Sequence, residues 1–335
     1  MPHDLIPTSH REGVSRALIA VFGSDAIEDL TVMRAGLSGA VVCRVVVGGE
    51  AALLRVQMQR DTLRDPVRLQ ACMNAAAAAG LAPAVRYADA EAGVTVTDFV
   101  EALPLFAYPG GPPAVVLALG RMIAALQATP VFPRLVDFFE GMEGVIANAL
   151  GTGVLSDEAA RAPLAAYRAI CAAYPRLPPE AWVSSHNDLN PSNIVCDGHR
   201  LWLVDWEAAF AADPHIDPAV LANWFGLQGA GEAAFLAAVF GEVDDERRAR
   251  FALMRQIGQM FVACLMLRLA GSGGATEVDD LDGPSLADVR QGLAAGTVQL
   301  NTADGQLTLA KAHLREMVAF AESPALAAAA AVLGD

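Results

Sequence analysis

Positive charge is scarce in this sequence, which has 23 Lys and Arg residues against 38 Asp and Glu residues. The formal net charge is -15 at pH 7, and the isoelectric point is near 4.8. A nucleic-acid-binding surface needs clustered Lys and Arg to neutralise backbone phosphates, so this balance argues against a nucleic-acid partner. With 335 residues, 54% of them hydrophobic, the chain can bury the core of one large domain or of two lobes.

Cysteine is also rare, and its spacing carries no motif. The five cysteines are odd in number, widely scattered and without a C-x-x-C pair. This pattern argues against a disulfide framework, a zinc finger or a redox motif, and it predicts a reducing cytoplasm. The residues are Cys43, Cys72, Cys171, Cys196 and Cys264.

The sequence lacks a recognisable secretory signal and a long uninterrupted apolar run. Its opening, MPHDLIPTSHREG, has neither the basic start nor the apolar segment of a signal. A membrane span needs roughly 18 apolar residues, and the closest run, residues 261–274, is interrupted by Arg268. We therefore expect a buried helix there, no membrane partner and a cytoplasmic location.

The composition changes along the chain. Residues 30–56 are apolar and β-branched around a Gly48-Gly49 turn, which predicts an antiparallel sheet, and residues 65–80 have the Pro and Gly punctuation of a helix. Beyond residue 100 the pattern is mainly helical. We therefore predict an α+β fold with two lobes, a β-rich one over residues 1–100 and a helical one over residues 101–335.

One polar cluster interrupts the helical part. The segment SSHNDLNPSNIVCDGHRLWLVDWE, residues 184–207, holds two His, three Asp, three Asn and one Glu in a chain that is mostly apolar. Asp197-Gly198 is a dipeptide typical of type I′ hairpin turns, which predicts two short strands on either side of it. The polar side chains would then lie on a loop, residues 184–192, and at the end of the strand 201–204, where catalytic groups are often presented.

The spacing within this cluster is that of phosphoryl transfer. His186, Asp188 and Asn193 form an H-x-D-x-x-x-x-N pattern, and Asp205 follows Asn193 by twelve residues. In this chemistry a loop Asp receives the proton of the attacking hydroxyl, while an Asn and a later Asp hold Mg²⁺, which prefers hard oxygen ligands. Asp188 is therefore the predicted base, and Asn193 and Asp205 are the predicted metal ligands. Glu207 fits either a group near the metal or a simple loop charge.

The stretch HNDLNPSNIV followed by LVDWEAAFAADPHIDPAVLAN resembles the choline kinase and aminoglycoside phosphotransferase family, small-molecule relatives of protein kinases. The HND and DWE forms resemble the choline and ethanolamine kinase branch. This resemblance implies a two-lobed kinase-like fold, ATP and Mg²⁺ as cofactors, and transfer of phosphate to a small-molecule hydroxyl. It gives Asp188, Asn193 and Asp205 the same roles and makes Asp217 a brace for the catalytic loop.

The resemblance also implies a nucleotide site in the first hundred residues. The stretch AGLSGAVVCRV would cover the phosphates, Arg55 in ALLRV would be the strand cation for the α and β phosphates, and VTVTDFV would be the hinge against adenine. The predicted nucleotide-binding residues are Gly36, Ser38, Gly39, Arg55, Asp98 and Val100.

The chain departs from the family pattern on the helix that follows Arg55. Family members commonly carry a Glu there that pairs with the strand cation, but VRLQACMNAAAAAG contains no acid. Gln70 could orient Arg55 only weakly, and Asp65 could substitute for the acid if the helix began earlier. With only a neutral neighbour, Arg55 would be mobile without nucleotide and become ordered when ATP binds. The missing acid leaves a nucleotide-binding pseudoenzyme open as an alternative to an active kinase.

The acceptor is predicted to be a cationic amino alcohol such as choline or ethanolamine. The branch resemblance, the acidic chain and the aromatic pair Trp224 and Phe225 all favour it, because aromatic rings bind quaternary ammonium groups by cation-π attraction. An aminoglycoside is the alternative acceptor. Its separate ammonium groups would need several carboxylates at matching distances. The carboxylates available for that are Asp213, Asp217, Glu232, Asp244, Asp245 and Glu246.

A metal-dependent hydrolase is a more remote alternative, because His and carboxylate side chains also ligate zinc and iron. This alternative leaves Asn193 and Arg55 without a role. The sequence does not predict the oligomeric state. The candidate ligands for such a metal are His186, Asp188, His199, Asp205, His215 and Asp217.

Overall fold

The computed structural model describes residues 6–33 and 40–334. Their contacts separate them into unit 1, made of the chain up to residue 135 together with residues 182–212, and unit 2, made of residues 136–181 and the chain from residue 213. The sequence-based boundary at residue 100 concerns the two lobes of the predicted fold, and it stays a prediction.

An antiparallel sheet organises unit 1, in the strand order β1-β2-β3-β5-β4. Its strands are rich in Val, Ala and Thr, and β2 alternates buried and less buried residues, as expected of a sheet with one face on a core. The predicted α+β class is confirmed. The strands are β1 (Asp29–Val32), β2 (Ala40–Val47), β3 (Glu50–Gln57), β4 (Val85–Asp89) and β5 (Val94–Asp98).

The predicted glycine turn joins β2 to β3. Gly48 and Gly49 both have positive φ angles, 60° and 76°, which a type I′ turn requires, and Val47 pairs with Glu50 across it. The resulting register places Arg55 of β3 opposite Val42 of β2. Arg55 therefore lies in the middle of a central strand, as predicted.

The N-terminal helix α1 (Arg11–Phe22), which sequence reasoning did not predict, covers one face of this sheet. Leu18 packs in one buried core with Leu54 and Val56 of β3 and with hydrophobic residues of β2 and β5. Because successive side chains of a strand point to opposite faces, Arg55 points to the face of the sheet away from α1.

The predicted helix after Arg55 is α2 (Pro66–Ala78). Asp65 caps it, since its side chain accepts a hydrogen bond from the Val67 N–H, and Pro66 occupies the first turn. Gly80 follows with a φ angle of 70°, which ends the helix as the sequence predicted.

Two short antiparallel pairs complete the part of unit 1 that carries the polar cluster. Strands β7 and β8 form the predicted hairpin, but residues 197–200 connect them and Asp197 lacks the positive φ angle of a type I′ turn, so the predicted turn type is wrong. The Leu203 N–H donates to the Leu81 carbonyl at 2.8 Å. The predicted loop 184–192 begins two residues later than expected, because Ser184 and Ser185 belong to a strand. The strands are β6 (Val183–Ser185), β7 (Ile194–Cys196), β8 (Leu201–Leu203) and β9 (Phe210–Ala212), with β6 paired to β9.

Apart from short 3-10 helices, the remaining elements are α-helices, of which only α3 belongs to unit 1 among the described residues. Helix α8 is long and apolar enough to cross a membrane by length and composition, and so are α10 and α11 if this pair, bent by 65°, is taken as one span. In the α8 window 67% of the residues are buried in the protein, which is typical of a core helix. The helices are α3 (Gly111–Gln127), α4 (Phe138–Leu150), α5 (Asp157–Ala173), α6 (Ile216–Phe225), α7 (Gly229–Phe240), α8 (Asp245–Ser272), α9 (Leu286–Ala295), α10 (Ala303–Glu322) and α11 (Pro324–Gly334).

We predict that Gly198→Ala destabilises the protein by about 1–2 kcal/mol, because a Cβ is strained in the left-handed region. Gly198 has a φ angle of 90°, and an added Cβ would lie 3.0 Å from a methyl carbon of Leu103. Urea unfolding followed by circular dichroism measures the change. His199→Ala is the matched control, since His199 is exposed and its backbone N–H, which donates to Asp197, is kept in the variant; equal stability of the two variants would contradict the prediction.

Candidate active site

Asp188 lies on the loop that follows β6, and two asparagines hold its carboxylate. Asn190 donates to Oδ1 at 3.0 Å, and Asn193 donates to Oδ2 at 2.9 Å and to the Asp188 carbonyl at 2.8 Å. Burial raises the pKa of the Asp188 carboxyl above its ordinary value, and the hydrogen bond from Asn190 partly opposes this shift. The carboxylate is thus fixed in orientation and made more basic.

The residue before it, Asn187, adopts a left-handed conformation with a φ angle of 61°. Asn tolerates this region better than other non-glycine residues because its short side chain bonds locally. Here its Nδ2 donates to the carbonyls of Ala208 at 3.0 Å and Phe210 at 3.2 Å. The Asn of the HND triplet therefore connects the loop that carries Asp188 to the backbone that follows Asp205.

His186 is fully buried beneath this loop. Its Nε2 lies 2.9 Å from the Val204 carbonyl, and its ring packs against Trp206 with the ring centroids 4.7 Å apart. The His186 ring is therefore part of the packing between the loop and the end of β8, which is a structural role.

Asp205 and Asn193 are the predicted metal ligands. Asp205 follows β8 in a left-handed conformation, with φ 62° and ψ 69°. Its buried Oδ1 has no hydrogen-bond partner among the described residues, although it lies 3.5 Å from Nη1 of Arg55. This atom therefore has an electrostatic neighbour but no hydrogen bond that uses its lone pairs.

These two side chains fit Mg²⁺. The amide nitrogen of Asn193 is used by Asp188, so its carbonyl oxygen is the ligand atom left over, and Asp205 Oδ1 supplies a carboxylate oxygen. Mg²⁺ is commonly held by one or two protein oxygens and completed by phosphate and water. Within residues 6–33 and 40–334, no group of three or more His, Cys, Asp or Glu side chains is arranged to hold a metal.

Arg55 approaches Asp205 from the sheet. Its side chain is 13% exposed, and burial lowers the pKa of the guanidinium, while Asp205 opposes that shift. Nη2 of Arg55 donates to Oε1 of Glu207 and lies 3.5 Å from Oε1 of Gln57. An arginine keeps its charge under such a shift, so this is a buried cation with carboxylate partners.

The predicted substitutes for the missing helix acid do not contact Arg55, and this expectation is wrong. With its amide oxygen turned to the β4–β5 turn, Gln70 accepts from the backbone N–H groups of Asp89 at 3.3 Å and Ala90 at 3.0 Å. Asp65 caps α2 instead. The acid that pairs with Arg55 is Glu207, so Arg55 does not have a neutral neighbour alone, which was the condition for a mobile cation. The only sequence signal for it was the Glu of the DWE triplet.

Sequence reasoning also missed Arg68 of α2. This buried guanidinium donates to the Glu207 carbonyl at 2.8 Å and also to the carbonyls of Leu63 and Ala209. Burial lowers the pKa of Arg68. Helix α2 is thus joined to the loop after Asp205 by a cation that binds backbone oxygens, a contact that no residue spacing indicates.

The other predicted nucleotide-binding residues are placed as follows. Gly36, Ser38 and Gly39 lie outside the described residues. Asp98 ends β5, and its N–H donates to the Ala84 carbonyl at 2.9 Å, so this N–H is already used within the sheet. Val100 is partly buried just beyond the strand. The roles of these residues stay predictions.

Comparison with solved structures shows the same fold in small-molecule kinases. A choline/ethanolamine kinase family protein from Mesorhizobium loti has a TM-score of 0.59 and 19% identity, with 90% of this chain and 99% of that chain covered. A choline kinase from Streptococcus pneumoniae has a TM-score of 0.55 and 15% identity, with coverage of 85% and 97%. A spectinomycin phosphotransferase in complex with ADP and spectinomycin has a TM-score of 0.53 and 12% identity, with coverage of 90% and 98%.

The family itself is shown by sequence. No curated protein matches the chain. The family model described as "Phosphotransferase enzyme family" (APH) matches residues 29–252, a segment that contains β3, the catalytic loop and the β7–β8 hairpin. Since this match spans more than half of the sequence, the chain belongs to the APH family of phosphotransferase enzymes.

Proposed function

We propose that this phosphotransferase moves the γ-phosphoryl group of ATP, with Mg²⁺, to a hydroxyl of a small molecule. The observation that carries this proposal is the arrangement in which Asn193 holds Asp188 through its amide nitrogen and keeps its carbonyl oxygen for the metal. Base and metal ligand are therefore fixed relative to each other by one side chain. Arg55 adds a cation 3.5 Å from Asp205.

In the proposed mechanism Asp188 orients the acceptor hydroxyl and receives its proton as the oxygen attacks phosphorus. Its carboxylate oxygens each accept one hydrogen bond from Asn190 or Asn193, which leaves lone pairs for the hydroxyl. The raised pKa makes Asp188 a better proton acceptor than an exposed aspartate. Arg55 would neutralise phosphate charge. When bound, Mg²⁺ held by Asn193 and Asp205 would stabilise the charge that develops on the phosphoryl oxygens.

For the acceptor we propose a cationic amino alcohol such as choline or ethanolamine. Support comes from unit 2, where the carboxylates considered for an aminoglycoside already have internal partners or are buried. Asp213 accepts from the Tyr174 hydroxyl at 2.6 Å, Glu232 pairs with Arg255, and Asp217 is 1% exposed.

The other three carboxylates lie at the start of α8. Asp244 caps the helix, Asp245 pairs with Arg248 at 3.0 Å, and Glu246 pairs with Arg250 at 2.8 Å. Such pairs near the surface exchange easily, so they argue less strongly than the buried ones. Trp224 and Phe225, at the end of α6, are partly exposed and available to a quaternary ammonium group.

We expect Asp188→Asn to lower kcat by about 10² or more, because the amide cannot accept the hydroxyl proton. The affinity for Mg-ATP should remain, because Asp188 is not a proposed metal ligand. ATP consumption with a panel of amino alcohols, aminoglycosides, sugars and nucleosides measures the rate. The control is Asp29→Asn, an exposed carboxylate of the same unit. An Asp188→Asn enzyme with wild-type turnover would refute the kinase proposal, and a wild type that binds ATP but turns over with no acceptor would favour the pseudoenzyme.

We expect Asp205→Asn to weaken nucleotide binding in the presence of Mg²⁺ and to lower turnover as well. The change removes a charge from the metal site and one of the two carboxylates near Arg55. Calorimetric titration of ADP with and without Mg²⁺ separates these effects, since loss of a metal ligand reduces the gain in affinity that Mg²⁺ provides. Equal gains in the variant and in Asp29→Asn would contradict the metal role of Asp205.

We expect Trp224→Ala to raise the KM for choline by about 2- to 30-fold, the equivalent of about 0.5–2 kcal/mol of cation-π attraction. The KM for ATP should not change. Steady-state kinetics at saturating Mg-ATP gives both values, with Phe106→Ala, a highly exposed aromatic of unit 1, as control. An unchanged KM for choline, or no turnover of choline by the wild type, would exclude the aromatic site while leaving the kinase proposal intact.

A further inference from the structure

We propose that Glu207 is the positioning residue for Arg55, and that it does from the loop after β8 what a helix acid commonly does in this family. This proposal rests on the proposed function, because it assigns Arg55 to the phosphates of ATP. It adds a residue whose role neither the family match nor the metal-site geometry assigns.

The guanidinium of Arg55 lies next to two carboxylates. Nη2 donates to Glu207, Nη1 lies 3.5 Å from Oδ1 of Asp205, and Nε has no hydrogen-bond partner among the described residues. The side chains of Arg55 and Glu207 are 13% and 17% exposed, whereas that of Asp205 is 34% exposed. The pair with Glu207 is therefore the hydrogen-bonded and more deeply buried one, in which removal of one partner leaves a poorly solvated charge.

The two acids differ in what else they must do. The Asp205 oxygen that faces Arg55 is the same Oδ1 that fits Mg²⁺. A divalent ion at that oxygen weakens the attraction between Asp205 and Arg55, because its positive charge competes for the same lone pairs. Glu207 then remains as the carboxylate that neutralises Arg55 and directs its Nη1 group to phosphate oxygens.

The backbone that carries Glu207 is held from two sides. Arg68 of α2 donates to the Glu207 and Ala209 carbonyls, and Asn187 of the catalytic loop donates to the Ala208 carbonyl at 3.0 Å. Three successive carbonyls are therefore occupied, which limits movement of the loop. Helix α2 is therefore connected to Arg55 indirectly. Arg68 of α2 binds the backbone of Glu207, and the Glu207 carboxylate binds Arg55.

A double-mutant cycle distinguishes this positioning role from two others, in which Glu207 binds the metal or nucleotide directly or blocks Arg55. The cycle combines Glu207→Gln with Arg55→Met and measures the Kd for Mg-ADP by calorimetry, so its readout is independent of turnover. If Glu207 acts through Arg55, each single change weakens binding by about 10-fold, a size typical of one charge-assisted hydrogen bond. The double variant should then bind no more weakly than Arg55→Met alone.

Additive loss in the cycle, about 100-fold in total, would overturn the proposal and make Glu207 a ligand of the metal or nucleotide in its own right. Tighter binding by Glu207→Gln would also overturn it, because Glu207 would then block the cation. In the predicted case, KM for ATP rises in Glu207→Gln while KM for the acceptor does not, and excess Mg²⁺ does not restore affinity. Recovery of affinity at high Mg²⁺ would identify a metal ligand and contradict positioning.

The matched control is Gln70→Glu, which restores an acid to α2. Its side chain bonds the β4–β5 turn, so Mg-ADP affinity should not change, and it should not rescue Glu207→Gln. Rescue by Gln70→Glu would overturn the proposal. If Arg55→Met does not fold, Arg55→Lys takes its place in the cycle, because it keeps the charge but not the guanidinium geometry. Absence of Mg-ADP binding in the wild type would instead refute the proposed function, so the two failures are distinguishable.

Discussion

A buried guanidinium is the constraint on which the rest of unit 1 depends. Arg55 stands in the middle of a central strand with its side chain only 13% exposed, so its charge has to be neutralised by groups brought to it. The acids that do this, Asp205 and Glu207, come from a loop about 150 residues further along the chain. The strand therefore cannot hold its cation stably unless the β7–β8 hairpin is in place.

The backbone around Asp205 shows how this requirement is met. Two non-glycine residues, Asn187 and Asp205, have positive φ angles among the described residues, and both belong to the polar cluster. Such conformations cost free energy and persist where the surroundings hold them in place. Here the Asn187 amide and the Arg68 guanidinium bind the carbonyls after Asp205, so the strain and the hydrogen bonds that sustain it lie in the same few residues.

The sequence predicted much of this arrangement, and the reasons for its failures are physical. The apolar, β-branched residues around the Gly48-Gly49 pair predicted β2 and β3 because these signals are local, and the H-x-D-x-x-x-x-N spacing singled out Asp188 and Asn193, which the structure shows to be hydrogen-bonded to each other. The pair of Arg55 with Glu207 joins residues 152 positions apart, and no local pattern reports such a contact. The absence of an acid in α2 was therefore visible in the sequence, while its replacement was visible only in the fold.

If Glu207 has the proposed positioning role, the acid on the loop replaces the acid missing from α2, and the missing family residue need not remove activity. What a nucleotide site requires is a cation held in a fixed orientation, and the electrostatic energy depends on the distance and burial of the acid rather than on the element that carries it. Placing the acid two residues after Asp205 has a further consequence. The cation's partner and the proposed metal ligand then belong to one short segment, so any shift of this loop would change the proposed phosphate-binding group and the proposed metal site together.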